Sequence, residues 1–280
     1  MVSQSFSDHF ENYEQWMGRS SLSTHTKRSY LINVRRFIEY LSQCQIEFEN
    51  LNAGVFLQYR DNLKYELGLS PSSINNSLAA IEHFFRFLNN SVPRIEREIR
   101  VKATPRTFSK DELERFLKVV RQQSKRDQSI IDLLLYAGLR VSECAALNAD
   151  AIEVTDHTAI VTVGAKNKCI VRRIPVNGIA LETVVAWLGE RARLFAHSNN
   201  PALFLTGRGE RLSIAGINFL VKSLGWKARL VVSPQVLRNT CLKSWLVSVN
   251  DVPSIATLAG HKSLDTTLRY VCDSQPTSAG

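Results

Sequence analysis

Arg140, Arg238, His261 and Tyr270 stand in that order along a chain of 280 residues. Arg140 lies in Gly138-Leu139-Arg140-Val141-Ser142-Glu143, and Arg238 lies in Pro234-Gln235-Val236-Leu237-Arg238-Asn239-Thr240. His261 closes Leu258-Ala259-Gly260-His261, nine residues before Tyr270. Guanidinium groups are planar forks that hold phosphate oxygens in pairs. A phenol oxygen can attack phosphorus and form a covalent ester. An imidazole can donate to a phosphate oxygen or accept the phenol's proton. This set suggests a phosphodiester site with a tyrosine nucleophile. Each residue also has a plainer reading. Arg140 can pair with Glu143 three residues on, Arg238 can be a surface residue, His261 a polar turn residue, and Tyr270 an amphipathic core residue. Order and spacing together lift the chemical reading above these.

At these segments the chain resembles the tyrosine recombinase (phage integrase) family, and most closely its bacterial Xer-type and transposon-encoded members. The resemblance covers nearly the whole chain. It implies that Arg140 and Arg238 are the two catalytic arginines, that His261 assists them, and that Tyr270 is the nucleophile. It also implies a lysine in a β-hairpin turn that protonates the leaving 5′ oxygen. The turn here reads Gly164-Ala165-Lys166-Asn167-Lys168 where the family usually has G-K-G-x-K, so two alignments exist. Lys166 is favoured as the catalytic lysine, with Lys168 as a DNA backbone contact.

Gln235 stands where the family usually has histidine or lysine. A glutamine can donate a hydrogen bond to a phosphate oxygen but cannot exchange a proton, so Gln235 is expected to bind and not to act as a base. Asn239 likewise replaces a common histidine. The tail after Tyr270, VCDSQPTSAG, is a poor helix former, although the family often docks a C-terminal helix on a neighbouring protomer.

These residues need elements to hold them. The first part reads as four helices: a short one ending over Glu14–Met17, a second from Thr24 to Gln43, a third capped by Asn52, and a fourth opened by Ser70-Pro71. Opposite their apolar faces lie Lys27, Arg28, Arg35 and Arg36 on the second helix. Ser72, Ser73, Asn75 and Asn76 crowd the start of the fourth. Small polar groups at a helix N-terminus suit phosphate or base-edge contacts, so these eight are the candidate DNA-binding residues. Residues 91–105 hold two prolines and no sustained apolar period. They divide a helical core-binding domain, 1–92, from a catalytic domain, 106–280, through a linker at 93–105.

The second part opens with a capping-box pattern at Ser109–Glu112, followed by a helix to about Gln122 and another from Gln128 to Tyr136 that stops at Gly138. A β-hairpin occupies Ala159–Val176. Helices resume near Ile179, Ile214, Pro234, Val252 and Ser263, the last running from Leu264 to Val271 and carrying Tyr270. The expected fold is mainly α with a small antiparallel sheet, arranged as a two-domain clamp on DNA.

Charge agrees with a polyanionic partner. The net charge is +9, and residues 106–280 carry 23 Lys/Arg against 15 Asp/Glu while residues 1–105 carry 12 against 11. Five scattered cysteines lack zinc-ligand spacing, so no metal site is expected, and a reduced cytoplasm is the natural setting. No apolar run is long enough to span a bilayer, and the first residues lack a secretory leader's pattern. No cofactor is expected, since a phosphotyrosyl link conserves the bond energy and nothing resembles a P-loop. The resemblance implies double-stranded DNA with paired inverted recognition sites as partner, and self-association into a synaptic tetramer. The length, without an added arm-binding domain, favours resolution over integration of a mobile element or replicon. Two rivals are type IB topoisomerase-like relaxation and a non-catalytic DNA-binding regulator on the same fold.

Overall fold

The computed structural model describes residues 2–90, 95–99, 104–164, 171–249 and 251–270. The chain forms two compact units, Met1–Val101 and Lys102–Gly280.

The first unit is a helical bundle of α1 (Val2–Arg19), α2 (Thr24–Gln43), α3 (Ala53–Asp61) and α4 (Pro71–Phe87). α1 is a full-length helix of 18 residues and not the short one expected. Phe6, Phe10, Tyr13 and Met17 recur at three- and four-residue steps and are all buried, so tertiary burial overrides the weak local propensity of the intervening polar residues. α2 and α4 begin where their caps place them. The Ser23 hydroxyl accepts from the Thr26 amide at 3.1 Å, and the Ser70 hydroxyl accepts from the Ser73 amide at 3.3 Å, with Pro71 in the first turn. Asn52 caps α3 through Gly54 N–H at 2.9 Å. The core is rich in aromatics. Phe37 meets Tyr59 edge-on with ring centroids 4.8 Å apart, a geometry the ring quadrupoles favour.

Part of the segment read as linker is fastened to this unit. Ile95 is buried in its core, and Arg97 pairs with Glu82 at 2.6 Å.

The second unit contains α5 (Lys110–Val120), α6 (Lys125–Tyr136), α7 (Val141–Ala146), strands β1 (Ile152–Val154), β2 (Ala159–Val163) and β3 (Arg172–Val176), then α8 (Gly178–Leu194), α9 (Ile214–Lys227), α10 (Pro234–Val249), α11 (Val252–Ala259) and α12 (Leu264–Leu268). The Ser109–Glu112 capping box closes reciprocally, with bonds of 3.2 and 2.9 Å. α6 is buried along most of its length and supplies the hub on which α8 and α10 pack. The strands form one antiparallel sheet in the order β1-β2-β3, with Val161 opposite Ile174 and Val163 opposite Arg172. On β3 the inward row is Arg172, Ile174 and Val176. That alternation carries a cation into the interior beside two aliphatic side chains.

The mainly α fold with a small antiparallel sheet is therefore as the sequence implied. One element differs near the chemistry. The last helix ends at Leu268, so Tyr270 sits in a turn past α12 and not on the helix. Its amide still bonds to the Thr267 carbonyl at 3.1 Å.

Candidate active site

Two glycines shape the site. Gly138 and Gly260 have φ of +61° and +63°, the left-handed region that glycine enters without a Cβ penalty. Each ends a helical segment and turns its carbonyl back toward an arginine. Gly138 O accepts from Arg238 Nη1, and Gly260 O accepts from Arg140 Nη2 at 2.7 Å. Loop carbonyls that would otherwise lack partners thus hold the two guanidinium groups in place.

Arg140 caps α7 and binds Glu143 twice, through its backbone N–H and through Nη1, both at 2.8 Å. Arg238 lies one turn into α10 and is 2 % exposed. Its Nη2 donates to Ala259 O at 2.5 Å and lies 3.4 Å from His261 Nε2. A third arginine completes the group. Arg172, on the inward face of β3, donates to Leu258 O at 2.8 Å and to Glu143 Oε1 at 2.5 Å. Sequence reasoning passed over Arg172. The available signal was the alternation of Arg172 with Ile174 and Val176, which places a charge on the buried face and so demands a partner.

Glu143 is the carboxylate common to all three. Arg238 Nη1 is 3.9 Å from it, Arg140 2.8 Å and Arg172 2.5 Å. Burial pushes the Glu143 carboxyl up, but bonds from the Arg140 backbone and side chain and the charges of Arg172 and Arg140 outweigh it, leaving the group below its ordinary value. Three cations against one anion leave the cluster short of negative charge. Arg238 shows this: burial first, then repulsion from Arg140, brings its guanidinium down to about 10. A phosphodiester would supply the missing charge.

His261 follows the Gly260 turn. Arg238 can only donate, so His261 Nε2 is the accepting nitrogen. The ring proton then belongs on Nδ1, which lies 2.8 Å from Thr267 Oγ1. Burial, followed by the charges of Arg238, Arg140 and Arg172, lowers His261 to about 4. The imidazole is therefore neutral at physiological pH, and its one lone pair, on Nε2, faces the Arg238 guanidinium.

Tyr270 is 6 % exposed. Its hydroxyl donates to Asn239 Oδ1 at 2.8 Å. Burial raises its phenol above the ordinary value, an effect that Arg238, Arg269 and Arg140 oppose. Gln235 is exposed on the first turn of α10, and its Nε2 donates to the same Asn239 oxygen at 2.7 Å. The structure thus gathers Arg140, Arg238 and His261 directly, and joins Gln235 to Tyr270 through Asn239. Lys166 and Lys168 fall outside the described residues.

In the first unit, a groove of about 840 Å³ runs between the starts of α2 and α4, lined by His25, Ser29, Ser72, Ser73, Asn76 and Arg97 among others. Asn76 Nδ2 bridges the two helices by donating to Ser29 Oγ at 2.9 Å. Arg28 and Arg35 are exposed, Arg35 lying over the Phe10 ring at 5.1 Å. Lys27 and Arg36 are half-buried and already engaged, with Gly18 O at 2.9 Å and Asn33 Oδ1 at 3.4 Å. Asn75 departs from the expected outward row. It is 6 % exposed, and both ends of its amide bind the Glu98 backbone, at 2.8 and 2.9 Å. Its side chain clips the 95–99 segment to α4 and is turned to that backbone, not outward with its neighbours.

The Phage integrase family model matches residues 106–275, and the Phage integrase N-terminal SAM-like domain matches residues 10–91. The chain belongs to the phage integrase family, the tyrosine site-specific recombinases. It is 30% identical over 278 residues to tyrosine recombinase XerC of Shewanella sp. (strain ANA-3), covering 95% of this chain and 90% of that protein. It is 30% identical over 265 residues to tyrosine recombinase XerA of Thermococcus kodakarensis, covering 93% and 89%. The fold matches the XerH site-specific recombinase bound to a palindromic difH substrate in a post-cleavage complex, with a TM-score of 0.73 and 20% identity over 89% of this chain and 76% of that one. A covalent phosphotyrosyl intermediate is general to the family. Among the described residues, no helix is long and apolar enough to cross a membrane.

Proposed function

We propose that this recombinase exchanges DNA strands at a specific site through Tyr270. The supporting observation is the arginine cluster: Arg140, Arg172 and Arg238 share one carboxylate, Glu143, and so present unneutralised positive charge beside Asn239, the residue that binds the Tyr270 hydroxyl. Arg140 and Arg238 bind the non-bridging oxygens of the scissile phosphate, and Gln235 adds an amide N–H. The Tyr270 oxygen forms a bond to phosphorus while the P–O5′ bond breaks. His261 Nε2 takes the phenol proton, and Lys166 gives a proton to the leaving 5′ oxygen. The product is a 3′-phosphotyrosine and a free 5′ hydroxyl. A 5′ hydroxyl from a partner duplex then attacks the same phosphorus and releases Tyr270. Because bond energy stays in the covalent link, the cycle consumes no nucleotide.

The same reading assigns residues 1–92 to core-site binding, 93–105 to a linker and 106–280 to catalysis. Lys27, Arg28, Arg35, Arg36, Ser72, Ser73, Asn76 and Lys168 contact the duplex, and Asn75 acts indirectly by holding the 95–99 segment. The substrate is a duplex with paired inverted recognition sites, bound by four copies of the chain. Resemblance to Xer relatives across almost the whole length favours resolution or integration of a replicon or mobile element as the biological setting, in the cytoplasm.

A nicked suicide duplex carrying the recognition site tests this. Cleavage beside the nick releases a short strand and traps protein on DNA. Covalent product with the native chain and none with Tyr270→Phe is expected. Trapping by Tyr270→Phe would remove Tyr270 from the role.

A further inference from the structure

We propose that Asn239 is a positioning residue for strand cleavage, one that holds the Tyr270 hydroxyl neutral and fixed relative to Gln235 before a phosphate arrives. The inference rests on Tyr270 being the nucleophile.

The polarity of the network is set by the backbone. Asn239 Nδ2 donates to the Arg106 carbonyl at 2.9 Å, and a carbonyl can only accept. The amide therefore has one orientation, with Oδ1 turned toward Gln235 and Tyr270. Two donors converge on that oxygen, Gln235 Nε2 at 2.7 Å and the Tyr270 hydroxyl at 2.8 Å. The amide of Gln235 is oriented in turn: nitrogen toward Asn239, with its second N–H free for a phosphate oxygen. The phenol's own proton is committed to Asn239.

This arrangement has two effects. It ties the nucleophile to Asn239, the α10 residue that follows Arg238, in a buried setting where Asn239 is 5 % exposed. It also opposes early ionisation, because a phenolate would face the Asn239 carbonyl oxygen and lose the hydrogen bond it now donates there. The charged groups that act on the phenol are Arg238 on α10, Arg140 before α7 and the neighbouring Arg269, all cations that favour phenolate. Asn239 offsets them. An asparagine cannot take the proton, so the proton must leave toward another group once substrate is bound.

The experiment uses the full chain labelled with ¹³Cζ-tyrosine, the Tyr270 resonance being identified by its loss in Tyr270→Phe. Asn239→Ala should titrate Tyr270 at lower pH than the native chain, and the near-isosteric Asn239→Asp, which puts a negative charge beside the phenol, at higher pH. Single-turnover cleavage of the nicked duplex at saturating DNA should fall by ~10- to 100-fold in Asn239→Ala with duplex affinity unchanged. Equal titration in the native chain and both variants, or shifts in the same direction, would overturn the proposal. So would native cleavage rates in Asn239→Ala. Should Asn239→Ala fail to fold, the shift in Asn239→Asp decides alone: upward supports the assignment, none rejects it. Covalent product from Tyr270→Phe would instead reject the nucleophile itself, which separates the two failures.

Discussion

Arg172 Nη2 and Glu143 Oε1 are 2.5 Å apart, and that same oxygen lies 2.8 Å from Arg140. A strand residue thereby secures the carboxylate that orients Arg140. Removing Arg172 takes away the shortest contact to Glu143 and leaves the Leu258 carbonyl without this donor, at a cost of about 1–3 kcal/mol. Arg172→Leu should lower the melting temperature of the catalytic unit and reduce cleavage with it. Arg172→Lys should recover little, because one ammonium cannot reproduce a fork that serves Glu143 and Leu258 O together. Native stability in either variant, by thermal melting, would contradict this role.

Glu143→Gln tests the charge imbalance directly. Without its carboxylate, the three arginines lose their shared anion while the side-chain shape is kept. Inorganic sulfate or phosphate should raise the melting temperature of this variant more than that of the native chain, since an anion that binds the folded form stabilises it by mass action. Equal shifts would show that the cluster does not hold an anion.

Gly260→Ala should be poorly tolerated. A non-glycine residue at this left-handed φ costs about 1–2 kcal/mol, and the added Cβ would lie 2.6 Å from Arg172 Nη1. Arg172 would have to move, taking Glu143 with it. In an Arg172→Ala background the same change should cost less. A double-mutant cycle of urea melts measures the difference, and simple additivity would refute the contact.

The sign of one pH effect follows from His261. Its folded value is about 4 against an ordinary 6.5. Between those values the unfolded chain binds the proton more readily, so this contribution to stability is complete above pH 6.5 and declines as pH falls toward 4. Urea midpoints across that window should drop more in the native chain than in His261→Gln. Parallel curves would mean that the ring is not held neutral.

Asn75 and Asn76 are neighbours with different expected phenotypes. Asn75→Ala removes both bonds to the Glu98 backbone and should cost about 1–3 kcal/mol of stability in the first unit, leaving the salt dependence of duplex binding unchanged. Asn76→Ala should do the reverse, weakening duplex binding with little loss of stability. Fluorescence anisotropy over a salt series, paired with thermal melts, separates the two.

Lys166→Ala is expected to slow cleavage by ~10²–10⁴-fold if Lys166 is the general acid. A 5′-bridging phosphorothiolate has a leaving group that needs no proton, so it should restore the rate. Rescue of Lys168→Ala, and not of Lys166→Ala, would move the role to the second lysine.

Much of the fold was legible because local signals and packing agreed. Thr24–Gln43 could be delimited from a regular apolar stripe, and Ser70-Pro71 marked the start of α4. The Arg140–Glu143 pair could be read from its three-residue spacing. Arg172 was not, because strand alternation announces that a side chain points inward without saying what it meets there. Asn239 was noted as a substitution, but its partners come from segments 31 and 133 residues away, beyond the reach of any local pattern. Asn75 was misplaced because polar residues at a helix start look the same whether they face DNA or a returning backbone. α1 was cut short for the opposite reason: its seryl, aspartyl and asparaginyl residues obscured a buried stripe that tertiary contacts sustain.

The carbonyl that holds Arg238 lies 100 residues upstream of it, and the one that holds Arg140 lies 120 residues downstream. During synthesis, then, Arg140 leaves the ribosome long before the loop that orients it has been translated, and the tyrosine emerges later still. A growing or half-folded chain has arginines that can cling to DNA, but no assembled centre with which to cut it. Both arginines therefore gain these partners only when the catalytic unit closes on itself, and the cluster forms together with the fold of that unit.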